Sequence, residues 1–147
     1  AYIPYPQSTK LGIEFWTYND LEASTIIHYT DLFSGTQRLR GGVQWDLTLN
    51  KLYILNSAGS WVEVSPQLPQ AFYQVMFQGI KLIIDFPNQK YKSVFLNEQS
   101  WNLTAYDLQA TANTTDRSWG FLVAVVPQAA SYVNMYLDDV IFTQEEP

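Results

Sequence analysis

The sequence contains no cysteine and only one histidine, His28. Without thiols there is no disulfide, no Cys-ligated zinc, no iron–sulfur cluster and no thiol nucleophile. With one imidazole there is no multi-histidine metal site. A Ser-His-Asp triad would have to be built on His28, and no Gly-x-Ser-x-Gly elbow accompanies it. Charge is scarce as well. Asp, Glu, Lys and Arg make up 15% of the 147 residues, against roughly a quarter in an average domain. The charge present is acidic, 14 acidic side chains to 8 basic ones. Phosphate neutralisation needs basic clusters, so nucleic acid is not an expected partner. No apolar run approaches the roughly 18 residues of a membrane span, and no membrane insertion is expected. The opening Ala1-Tyr2-Ile3-Pro4-Tyr5-Pro6 lacks the basic segment of a signal peptide.

What the chain has instead is apolar and aromatic bulk, at 47% and 16% of its residues. That excludes disorder. Gln, Asn, Ser, Thr and Tyr make up the shortfall in charge, forming hydrogen bonds without carrying charge. A chain of this length buries enough surface to fold without a staple. No repeat, linker or charge block divides it, so residues 1–147 read as a single domain.

The dominant period is two. Runs rich in β-branched and aromatic residues span 11–18, 23–30, 37–46, 51–56, 60–64, 72–77, 80–86, 90–97, 119–126 and 132–142, with turn formers between them. About ten strands at such spacing indicate an all-β protein, a two-sheet antiparallel β-sandwich or a barrel. Residues 80–86 and 90–96 form a hairpin in which Pro87 takes the first corner and Asn88 the second. A meander runs from Val43 through Leu52–Leu55 to Trp61–Val64. Residues 101–112 carry a partly helical spacing weakened by Thr104 and Thr111, which predicts a long loop or one short helix. Residues 127–131 read as a loop.

Five tryptophans and ten tyrosines are the most informative feature. An aromatic face stacks on the C–H face of a sugar ring while Asn, Gln and Asp bond its hydroxyls. The same rings also fill the space between two sheets. Alternation places Trp45 inward with Val43 and Leu47. It places Trp61 outward with Glu63, opposite Val62 and Val64. Trp61 is therefore the first candidate for a stacking platform, with Tyr53 and Trp16 beside it as further ligand-binding candidates.

Catalytic patterns are weak. Asp138 and Asp139 are adjacent in a strand, so alternation sends them to opposite faces and denies them the role of a glycosidase pair. Glu14 and Asp85 are lone carboxylates, of the kind that solvent or a salt bridge satisfies. A Glu-x-Asp-x-x-Glu pattern is absent, no catalytic residues are assigned, and the chain is not expected to be an enzyme. His28, in Ile26-Ile27-His28-Tyr29, is expected on the outer face of its strand. No cofactor and no metal ligand set is assigned. Asp116, Asp138, Asp139 and loop carbonyls supply oxygen atoms for a structural calcium, but no loop has the ligand spacing of a dedicated calcium motif. Asn102-Leu103-Thr104 and Asn113-Thr114-Thr115 match glycosylation acceptors.

These residues carry a resemblance. Gly79-Ile80-Lys81-Leu82-Ile83-Ile84-Asp85, then Lys90-Tyr91, then Phe95-Leu96-Asn97, resembles the central hairpin of concanavalin A-like (laminin-G-like) jelly rolls. Gly12–Trp16, Gly42–Asp46, Lys51–Tyr53 and the closing Tyr136–Phe142 are similar to the flanking strands, in the manner of bacterial families of unknown function. Phe77 stands where such proteins often carry a tryptophan. Little precedes Leu11, which leaves scant room for the first strand of a full jelly roll. The resemblance implies a concanavalin A-like jelly roll and, by analogy only, a sugar-binding or cell-surface role. The expected partner is thus a polysaccharide or glycan. The alternative is a structural or interaction domain of a surface or virion assembly, bound to protein partners.

Overall fold

The computed structural model describes residues 2–3, 10–19, 23–66, 68, 77–114, 117–127 and 133–144. Twelve strands carry them: β1 (Tyr2–Ile3), β2 (Lys10–Asn19), β3 (Ala23–Phe33), β4 (Gln37–Asp46), β5 (Lys51–Leu55), β6 (Trp61–Glu63), β7 (Gln78–Asp85), β8 (Lys90–Leu96), β9 (Gln99–Asn102), β10 (Gln109–Ala112), β11 (Ser118–Pro127) and β12 (Met135–Gln144). One sheet runs β1-β11-β3-β4-β5-β6, with β10 paired to β4; the other runs β12-β2-β7-β8-β9. Every pairing is antiparallel. The domain is a two-sheet sandwich, as the period of two requires.

The inner faces meet in one core. Ile13, Phe15 and Ile26 pack with Trp45, Leu52 and Ile54 and with Ile80, Leu82, Ile84 and Trp119, all nearly without solvent contact. Trp45 points inward as its parity demands, and each large side chain so buried contributes roughly 1.5–3 kcal/mol. Gly41 lets the sheets approach: a Cβ there would lie 2.4 Å from Ile84 Cδ1.

The two hairpins follow their turn chemistry. Gln89 N–H donates to Phe86 O at 3.0 Å, which puts Pro87 and Asn88 at the two corners, and Gln89 then takes a left-handed φ of 55°. Asp85 Oδ1 accepts from Asn88 N–H and fastens the turn. In the β5–β6 loop, Asn56 Oδ1 accepts from Ala58 and Ser60 N–H, and Gly59 supplies a φ of 80°.

Four expectations are corrected. His28 does not sit on an outer face. It is fully buried, its Nε2 is 2.8 Å from Thr30 Oγ1, and its ring packs edge-on against Phe15 at 5.2 Å. The alternation of β3 puts Ile26, His28 and Thr30 inside and Ile27 and Tyr29 outside, so polarity misleads and register decides. Of the two expectations for residues 101–112, the helix is absent and the loop holds only at 103–108, because β9 runs to Asn102 and β10 begins at Gln109. A first strand does precede Leu11, since Tyr2 and Ile3 pair with Gly120 and Trp119. Finally, simple alternation fails at Asp138–Asp139: the register shifts between Asp138 and Ile141, and Asp139 has a φ of 45°. The strand expected at 72–77 falls outside the described residues except for Phe77, which precedes β7, and so does the loop at 127–131 except for Pro127.

Among the described residues, β12 is the free edge of its sheet, and β11 is bordered by β1 only at Trp119 and Gly120. Leu122 and Val126 on β11, with Tyr136, Leu137, Val140 and Ile141 on β12, are exposed there.

Candidate functional site

Trp61 and Tyr53 share the outer face of the seven-stranded sheet. Cross-strand pairing sets Tyr29 opposite Gly42, Leu55 opposite Trp61, and Tyr53 opposite Glu63. Gly42 has no side chain to separate the rings. A Cβ there would lie 3.0 Å from Tyr29 Cδ1 and 3.3 Å from Leu55 Cβ. Tyr29 therefore leans across β4 and β5 to meet Trp61, with centroids 5.7 Å apart and planes at 36°. Leu55 is buried beneath them.

Polar groups surround this aromatic pair. The Arg40 guanidinium lies 4.4 Å from the Tyr29 ring centre, a cation–π contact. It is held by two bonds to Asp31, of 2.7 and 2.8 Å, while Arg38 donates to the same carboxylate at 2.9 Å. Burial pushes the Asp31 carboxyl up, against the pull of Arg40. Glu63 is taken by Lys51 at 2.8 Å. Gln44 pairs with Tyr53 across β4 and β5. Neither the Gln44 amide nor the Tyr53 hydroxyl has a hydrogen bond among the described residues, so both can meet a ligand.

A strut from the other sheet supports this row from below. Tyr91, on β8, is fully buried; its hydroxyl accepts from Gly42 N–H at 2.8 Å and donates to Leu55 O at 2.6 Å. The β4–β5 ladder begins only at Val43–Ile54, and β10 takes β4 from Gln37 to Arg40. The hydroxyl fills the interval. Burial raises the Tyr91 pKa, so it stays protonated and able to donate.

Trp16 lies elsewhere, on the outer face of the five-stranded sheet, so the three candidate residues do not form one site. It is 36% exposed and rests against Gly79, where a Cβ would meet the indole at 3.1 Å. A cavity of about 380 Å³ opens beside it, lined also by Glu14, Lys81, Phe95, Asn97 and Glu98. Sequence reading did not find this cavity, although Glu14 and Trp16 share parity on β2. The other members arrive through the registers Glu14–Lys81 and Lys81–Phe95, which only the fold provides. Of the remaining tryptophans, Trp45 and Trp119 are buried, and Trp101 packs against the core.

His28 is sealed in the core, where burial lowers its pKa to about 3. Glu14 is 4.0 Å from Lys81, and Asp85 accepts from Asn88, so both lone carboxylates have partners. Asp138 Oδ1 accepts from Asp139 N–H. Among the described residues, no group of three or more His, Asp or Glu converges as metal ligands; Asp116 lies outside them. No described helix is long and apolar enough to cross a membrane.

No protein-family model matches the chain, and no curated protein matches it. Solved structures do. A galectin of Caenorhabditis elegans is 14% identical, with 94% of this chain and 89% of the galectin covered and a TM-score of 0.49. A sialidase is 8% identical over 99% of this chain, with a TM-score of 0.51, and the chain spans only 14% of its length. An alginate lyase of Alteromonas sp. 272 is 7% identical, with 98% and 75% covered and a TM-score of 0.48. At these identities the likeness is one of fold. The chain has a concanavalin A-like jelly-roll fold, two antiparallel sheets stacked as a sandwich.

Proposed function

We propose that the domain is a noncatalytic carbohydrate-binding module whose sugar site lies on the outer face of the seven-stranded sheet. One observation carries this reading: the Trp61–Tyr29 pair is laid out on a sheet face beside a Gln44 amide and a Tyr53 hydroxyl that no described residue engages. Trp61 stacks on the ring, while Gln44 and Tyr53 bond the hydroxyls. The stacking surface is rigid because Tyr91, Leu55 and the bare Gly42 fix its floor, and rigid aromatics bind at low entropic cost. The charged groups nearby are consumed by each other, so they hold the ring pair in place and take no part in chemistry. A glycan and polysaccharide screen on the folded domain, repeated with Trp61→Ala, tests this. Selective binding that the variant loses supports the module; silence across the panel overturns it.

A second reading is favoured by the apolar side chains at the free β11–β12 edge, which exceed what scattered surface residues need. It makes the domain an interaction module that pairs with a second copy of itself. A mass that rises with protein concentration in light scattering supports it, and a constant monomer mass excludes it.

A further inference from the structure

The cavity beside Trp16 has its own floor, platform and polar rim. Gly79 clears the floor, because any larger residue would drive its Cβ to 3.1 Å from the indole. Trp16 and Phe95 supply apolar walls, and the volume of about 380 Å³ falls in the range of small-ligand sites. The β8–β9 turn forms one rim. Asn97, at a left-handed φ of 52°, accepts from Gly79 N–H at 2.9 Å and donates to Gln78 Oε1 at 2.5 Å. Both ends of that amide are thus committed, and Asn97 acts as a positioning residue that sets Glu98 at the cavity mouth.

The lining is rich in acceptors. Glu14 and Glu98 contribute two carboxylates against the single ammonium of Lys81, and Asp138 stands next to Trp16 in the register of β12. Carboxylates accept bonds from hydroxyls and repel anions. A hydroxyl-rich ring without charge, with one face on Trp16, satisfies every group present. We propose that this cavity is a second saccharide site, selective for a neutral pyranose. The outer faces of two stacked sheets point in opposite directions, with the sheets roughly 10 Å apart. One oligosaccharide cannot reach both tryptophans, so the domain is bivalent and bridges two glycan chains as a monomer. Bivalency rests on the Trp61 reading above; the Trp16 site does not.

Titrations with the methyl glycosides of glucose, galactose and mannose, and with methyl glucuronide as an anionic control, separate the two. The readouts are the indole N–H resonances of Trp16 and Trp61 and the amide resonances of Gly79 and Asn97. Shifts at Trp16, Gly79 and Asn97 with a neutral glycoside and none with the glucuronide are expected. Trp16→Ala should weaken the Gly79 and Asn97 response at least tenfold and leave the Trp61 response intact. Glu98→Ala, on an exposed turn where folding is not at stake, should weaken it as well. Shifts confined to Trp61 overturn the second site and leave the first standing. Shifts confined to Trp16 overturn bivalency and the Trp61 reading together. A glucuronide shift at Trp16 overturns the selectivity, and no shift at either tryptophan overturns both sites.

Discussion

The hydroxyl of Tyr91, rooted in the five-stranded sheet, accepts the backbone N–H of Gly42 in the opposite sheet at 2.8 Å. It donates its own O–H to Leu55 O at 2.6 Å. Two strands that part company at this point are thus held by a side chain from across the core, directly below Trp61.

Removing that hydroxyl leaves a buried donor and a buried acceptor unpaired. Tyr91→Phe should cost about 1–3 kcal/mol, read as a lowered urea midpoint with an unchanged slope. Glycan affinity at Trp61 should fall with it, because the floor of the ring pair loosens.

The two kinds of tryptophan should separate under substitution. Trp45→Ala empties a buried site and should cost about 3–5 kcal/mol. Trp61→Ala gives up a half-exposed ring and one aromatic contact, about 1–2 kcal/mol, yet should abolish binding on its own face. Thermal midpoints with a glycan-binding assay on both variants check this.

Acid should act through His28. Its imidazole is neutral in the folded chain, where the pKa is held down to about 3, and takes a proton near 6.5 once unfolded. The unfolded state therefore binds more protons in that interval. The stability that depends on a neutral His28 is fully present well above pH 6.5 and is lost progressively as pH falls below it. No charged partner opposes this: the described ring contacts are Phe15 and Phe121, with Thr30 on Nε2. Denaturant titrations between pH 7 and pH 5 should show the slope, and His28→Gln should flatten it.

Two glycines should report the two faces separately. Gly42→Ala places a methyl 3.0 Å from the Tyr29 ring, and Gly79→Ala places one 3.1 Å from the Trp16 indole. Each should weaken binding roughly tenfold on its own face, about 1.4 kcal/mol, and spare the other. Paired titrations of both variants decide it.

Much of this architecture was readable from alternation. β4 runs from Gln37 to Asp46 as its pattern implies, and the Pro87-Asn88 corner sits where turn chemistry puts it. Trp61 lies outside and Trp45 inside because one residue of register flips a face. Gln99–Asn102 and Gln109–Ala112 are short and largely exposed, so they have no apolar period to see. His28 defeated its polarity because Phe15 and Phe121 close over it. Trp16 was named, but its cavity depends on Lys81, Phe95 and Asn97, which approach it only through long-range pairing.

The kink in β12 bears on how these molecules behave in a crowd. An apolar strand with one side that no described strand pairs is a template on which further copies can stack their own strands without limit. Asp138 and Asp139 interrupt it where the register slips and the backbone turns left-handed. Two negative charges and a broken row of amides deny a straight neighbour its ladder. The slip in β12 thereby keeps the fold from seeding fibrils when its copies are concentrated.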